Sequence, residues 1–126
     1  MSEYISHKPR PIMHSSLQNY IWELGKEYKF FSQSEFYESS GGRIDVVWFH
    51  PDDSKKPYII FEIDSSFRKK SFKKLCDEEA EIKFWVVYPR KEPNPYAISE
   101  CEKKHNLIII YPEKFMINKK NLVEME

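Results

Sequence analysis

Three carboxylates stand out because of where they sit. Asp45 lies in RIDVVWFH (residues 43–50), and Glu62 and Asp64 close YIIFEID (residues 58–64). Both runs are rich in β-branched and aromatic residues and read as strands. Charged side chains are rarely buried in such runs unless they are paired or bound to something. Alternate residues share a strand face, which groups Glu62 and Asp64 with Tyr58 and Ile60, and Asp45 with Arg43, Val47 and Phe49. If the two strands pair as a hairpin, Asp45 and Glu62 become close neighbours. Two carboxylates that close repel, and one holds a proton unless a cation intervenes. Hard oxygen ligands with water completing the shell suit Mg2+ or Mn2+. The plain alternative is that the acids lie at strand ends in water or pair with Arg43 and nearby lysines. Asp64, Ser65 and Ser66 are also good helix N-caps.

The elements that must position these acids follow from pattern and punctuation. Residues 1–14, with two prolines and several basic groups, read as an irregular arm, and HKPRP with His14 is a candidate DNA-contacting segment. A helix is expected from Ser15 or Ser16 to near Lys29, with Leu17, Ile21, Leu24 and Tyr28 as its apolar stripe. Residues 34–38 read as an edge strand and SSGG (39–42) as a turn. PDDSKKP (51–57) is a hairpin loop, so the first three strands form an antiparallel meander. Residues 65–81 read as a helix with Phe72, Leu75, Cys76 and Ala80 buried. IKFWVVY (82–88) is a strand covered on both faces, and the helix before it requires parallel pairing with residues 58–64. A short helix over 98–106 and a fifth strand, LIIIY (107–111), follow. Residues 112–126 are ambiguous between a last helix and a tail. The fold class is α/β, a central mixed sheet flanked by helices.

Asp45 after a turn, then Glu62-Ile63-Asp64 after a hairpin, then the lysine-rich KKSFKKL, resembles the PD-(D/E)XK nuclease superfamily. This is the restriction-endonuclease-like fold, which also houses archaeal Holliday junction resolvases. The resemblance covers roughly residues 15–90 and includes the αβββαβ order. It implies a divalent-metal-dependent nuclease that hydrolyses phosphodiester bonds in DNA. Asp45 and Glu62 match metal-binding acids, and Ile63 would add its backbone carbonyl. Asp64 stands where the family usually carries a catalytic lysine, and it is a candidate base or further ligand. Lys69, from the following helix, is the expected substitute, with Lys70 and Lys73 pointing further out. The first helix often supplies an acid in this family, which suggests Glu27, with Glu23 second. Ser66, Arg68, Lys70 and Lys73 are the expected nucleic-acid contacts, since RKKSFKK carries five basic residues in seven. The missing lysine leaves a rival: an inactive nuclease fold acting as a nucleic-acid-binding or assembly module.

Bulk properties narrow the classes. The 126 residues suit one domain, with little beyond a catalytic core, which favours a homodimer if two strands are cut. Twenty basic residues balance twenty acidic ones, so any attraction to nucleic acid must come from local patches. Cys76 and Cys101 make neither a disulfide framework nor a zinc spacing. The lack of a signal peptide or long apolar run leads to the expectation of a soluble, cytoplasmic protein without membrane contact. Trp48 and Trp85 read as core, and Trp22, off the helical stripe, as a possible interface residue. His50 and His105 read as surface residues.

Overall fold

The structure, a computed structural model, describes residues 10–37, 42–88 and 95–111. Its elements are α1 (Arg10–Glu27), β1 (Phe31–Tyr37), β2 (Arg43–Phe49), β3 (Ile59–Asp64), α2 (Lys69–Asp77), β4 (Ile82–Val87), α3 (Pro95–His105) and β5 (Ile108–Ile110). The five strands form one mixed sheet in the order β1-β2-β3-β4-β5. The first three strands pair antiparallel, while β3–β4 and β4–β5 pair parallel. The fold is therefore α/β, a five-stranded mixed sheet flanked by helices. Among the described residues no helix is long and apolar enough to cross a membrane.

The sheet is apolar on both faces, and each face has its own core. One cluster joins Met13 and Ile21 of α1 to Trp48, Phe61 and Val86. The other joins Leu75 of α2 to Phe49, Ile60, Trp85 and Ile109, with Cys101 of α3 partly buried against it. All six residues of β3 are buried, so its central place explains an almost unbroken apolar run.

Several boundaries differ from the expectation. The helix expected to start at Ser15 or Ser16 starts at Arg10, because proline is tolerated in a first turn, where the N–H has no helical partner. Residues 10–14 are thus helix rather than arm, and residues 1–9 lie outside the described residues. The stripe on α1 shifts back one turn, to Met13, Leu17, Ile21 and Leu24, while Tyr28 is exposed beyond the helix end. α2 spans only Lys69–Asp77; its buried residues are Ser71 and Leu75, and Cys76 is exposed rather than core. Ile60 belongs to one core and Tyr58 packs against the other, since Tyr58 precedes the strand. Trp22 is half-buried against the α1 core and donates from Nε1 to the Ser32 carbonyl, so it does not present a free ring. His50 is exposed, whereas His105 is half-buried edge-on to Phe72. The expected turn at 39–42 lies mostly, and the segment 112–126 wholly, outside the described residues.

The end of α1 is fixed by two local devices. Phe30 N–H donates to the Gly25 carbonyl and Lys29 N–H to that of Lys26, with Lys29 at φ 68°. This is a Schellman termination with lysine where glycine is favoured. Phe30 then stacks on Trp48, with ring centroids 5.3 Å apart. The Trp48 indole also donates from Nε1 to the Ile21 carbonyl, which lays the ring against the helix at Gly25. A Cβ at residue 25 would overlap that indole. Gly25→Ala is therefore expected to destabilise the fold by about 1–3 kcal/mol despite alanine's better helix propensity. Lys29→Gly is expected to stabilise it by about 0.5–1 kcal/mol by relieving the left-handed lysine. Urea denaturation of the two variants measures both; a Gly25→Ala protein as stable as wild type would contradict the packing.

Candidate active site

The β2–β3 ladder is regular from Trp48–Ile59 to Val46–Phe61 and then stops. The next rungs belong to Asp45 and Glu62. Here side chains replace backbone carbonyls: Asp45 N–H donates to Glu62 Oε1 at 3.3 Å, and Ile63 N–H donates to Asp45 Oδ2 at 2.8 Å. The pleat changes at the same place. Ile44, Val47 and Phe49 share one core although strict alternation would put Ile44 on the other face. The neighbouring edge strand accommodates the irregularity: Ser34 and Phe36 pair normally with Val46 and Ile44, and Glu35 between them has φ 53°. Asp45 therefore does not sit on the Arg43–Val47–Phe49 face expected for it.

The open end of the ladder forms the floor of a polar cleft of about 230 Å³. Asp45, Glu62 and Asp64 are 7%, 3% and 6% exposed, so all three acids are in the protein rather than in water. Asp64 Oδ2 accepts from Trp85 Nε1 at 2.8 Å, which fixes its carboxylate against β4. From α1, Gln18 Nε2 donates to the Asp45 carbonyl at 3.0 Å, and His14 Nε2 lies 3.6 Å from Asp45 Oδ1. From α2, Lys74 Nζ donates to the Arg43 carbonyl at 2.6 Å and stands 3.5 Å from Glu62 Oε2. The acids at the sheet end are thus flanked by both helical layers. The basic rim comes from Arg43, Arg68 and Lys70. Arg43 also pairs with Glu35 at 3.6 Å, both half-exposed, a contact of little energetic weight.

The electrostatics follow from this crowding. Burial pushes the Glu62 carboxyl up to about 8, the charges of Asp45 and Asp64 add to the shift, and Lys74 and the Asp45 N–H offset it only in part. His14 is raised above its ordinary value chiefly by its bond to Asp45, with all three carboxylates contributing and burial opposing. Near neutral pH the cluster relieves its own repulsion by keeping a proton on Glu62.

Among the described residues, no three His, Cys, Asp or Glu side chains already stand as a ligand group. Asp45 Oδ2, Glu62 Oε1 and Asp64 Oδ2 each accept from a scaffold N–H. The donor set is nonetheless hard oxygen throughout, and a divalent cation would replace the proton on Glu62. Hard oxygens of this kind are what Mg2+ or Mn2+ takes, and Asp45, Glu62 and the Ile63 carbonyl are the groups that could be offered to such an ion.

Other candidates fall differently. Lys69 is exposed and outside the cleft lining, as are Ser66 and Lys73. Helix α2 turns about 100° per residue, so with Ser71 and Leu75 buried, Lys69 lies about 160° from Ser71 and Lys74 only about 60°. Lys74 is therefore the lysine that reaches the acids. The expected stripe, centred on Phe72 and Cys76, hid it; a stripe through Ser71 would have exposed it. Glu27 and Glu23 are exposed and do not line the cleft. The first helix contributes His14 and Gln18 instead: His14 lies before the expected start of that helix, and Gln18 lies inside it but off the apolar stripe that marks its packed face.

Because Glu62 and His14 both bind protons more tightly in the folded chain than in the unfolded one, stability falls as pH rises. For Glu62 the stabilisation is complete below about 4.5 and is lost as pH passes through about 8, at roughly 1.4 kcal/mol per pH unit between. Glu62→Gln is expected to flatten most of this decline and to exceed wild type in stability above pH 8. Thermal melts from pH 5 to 9 test it; parallel profiles for the two proteins would contradict the buried-acid assignment.

No protein-family model, no curated protein and no solved structure matches this chain. Function has to be read from the residues themselves.

Proposed function

We infer that the chain is a divalent-metal-dependent nuclease acting on DNA, with a restriction-endonuclease-like αβββαβ core and the PD-(D/E)XK elements in altered form. The observation that carries this is the pair Asp45–Glu62, locked together at the open end of the β2–β3 ladder with Lys74 against Glu62. Mg2+ or Mn2+ held by Asp45, Glu62 and the Ile63 carbonyl would supply an activated water and charge stabilisation at the phosphoryl oxygens. The chain's own groups do the rest. Lys74 carries the positive charge that the family places two residues after the glutamate, here reaching in from α2. Asp64, held through Oδ2 by Trp85, keeps Oδ1 to accept the proton of the attacking water. Arg43, Arg68 and Lys70 on the rim favour a phosphate backbone. A cleft this small takes a phosphate and its sugar rather than a duplex, so the remaining contacts to DNA come from a second subunit or another protein.

One observation favours a second reading, an inactive nuclease fold that binds or assembles. Lys74 Nζ is held by the Arg43 carbonyl at 2.6 Å, which competes with any role at a transition state.

Cleavage of linear, nicked and branched DNA with Mg2+ or Mn2+ separates the two. Glu62→Ala and Lys74→Met are each expected to lower the rate by at least about 100-fold, the scale of losing one transition-state contact, whereas Lys69→Ala is expected to have a much smaller effect. Equal rates in wild type and Glu62→Ala would sink the nuclease assignment. Mn2+ binding by calorimetry without any cleavage would support the binding module.

A further inference from the structure

Helices α2 and α3 meet near their C-terminal ends, and both of the chain's cysteines lie at that junction. Cys76, in the last turn of α2, is exposed and places Sγ 3.9 Å from Nδ1 of His105, the last residue of α3. His105 is half-buried and edge-on to Phe72, one turn earlier on α2, with ring centroids 4.6 Å apart. Cys101 stands four residues before His105, and residues so spaced share a helix face. Phe72 and Cys101 pack against the same core. The two thiols and the imidazole therefore occupy one seam between the helices, and none of the three lines the cleft.

Their surroundings give the two thiols different roles. Cys76 is the one that solvent reaches. Burial pushes the Cys101 thiol up from its ordinary value, and Cys76 and Glu102 add to the shift. That influence of Cys76 puts the two sulfurs within electrostatic reach across the seam. A thiol reacts as its thiolate, and His105 Nδ1, when unprotonated, is the acceptor beside Cys76. Cys101, half-buried and less readily ionised, is the slower nucleophile and acts second.

We propose that Cys76 and Cys101 are a peroxide-reactive thiol pair, with His105 as proton acceptor, that closes into a reversible disulfide joining α2 to α3. The Cys76 thiolate attacks an oxygen of hydrogen peroxide. The S–O bond forms, the O–O bond breaks, the sulfur is oxidised to a sulfenic acid and the peroxide is reduced to hydroxide. The proton that His105 took from the thiol turns that hydroxide into water. The Cys101 sulfur then attacks the Cys76 sulfur: the S–S bond forms, the S–O bond breaks, and hydroxide leaves with the Cys101 proton as water. A dithiol reductant restores both thiols. Cys76 lies two residues after Lys74, so the bridge ties to α3 the helix that sets a cation beside Glu62.

The test treats the full chain with hydrogen peroxide and reads intact mass and disulfide-linked peptides. Wild type is expected to lose the mass of two hydrogens as a monomer and to yield a linked Cys76–Cys101 peptide that dithiothreitol removes. Cys101→Ser is expected to stop at a sulfenic acid on Cys76, trapped by dimedone. His105→Phe keeps an aromatic edge against Phe72 but no proton acceptor. At about pH 7 it is expected to slow loss of the Cys76 thiol about tenfold, the change in thiolate fraction for one unit of thiol pKa. That difference is expected to vanish near about pH 10, where the thiol ionises unaided, which a packing defect would not do. An oxidised monomer without the linked peptide, or a disulfide formed only between two copies of the chain, would overturn the pair. Equal rates in wild type and His105→Phe at the lower pH would overturn the role of His105.

Discussion

The reciprocal bonds by which the Asp45 N–H meets Glu62 and the Ile63 N–H meets Asp45 organise the open end of the β2–β3 ladder. A β ladder ordinarily closes each rung with main-chain groups. Here two carboxylates close the rung instead, so the strands stay connected while two acids are held inside the protein. The pleat shift at Asp45 and the left-handed Glu35 on the edge strand belong to the same accommodation. Such local irregularity is costly, and it persists because the surrounding sheet is buried on both faces and over-determines it. Proteins place strain of this kind at sites that do something.

The sheet end also explains why both helical layers matter. α1 brings His14 and Gln18 to Asp45, α2 brings Lys74 to Glu62, and β4 brings Trp85 to Asp64. Each acid is held by a different element. Substitution of His14, Lys74 or Trp85 therefore acts on the cluster through a different carboxylate, while Gln18 acts on the Asp45 backbone. Asp64, two residues after Glu62, is not a cation, yet Lys74, the sixth residue of α2, stands 3.5 Å from Glu62. The cation beside Glu62 is supplied by the fold rather than by its own strand.

Much of this was legible in the chain, and the limits have physical causes. The meander, the parallel β3–β4 pairing and the proximity of Asp45 to Glu62 follow from strand propensity, loop length and a two-residue period. Alternation could not foresee that the pleat breaks at Asp45, because the break depends on side chains replacing rungs. Lys74 was missed because the buried face of α2 runs through Ser71, and a serine gives no hydropathic signal. His14 was missed because Pro11 looks like a helix breaker unless it is placed in the first turn. Cys76 was misread as core by the same rotation of α2 that hid Lys74.

The central claim is that the acids locked together at the ladder's end hold a divalent cation, and anomalous diffraction from crystals soaked in Mn2+ tests it most directly. The account predicts one strong peak between Asp45 and Glu62, within ligand distance of the Ile63 carbonyl, with Lys74 drawn off Glu62. Crystals with no peak there, and Lys74 still against Glu62, would contradict it.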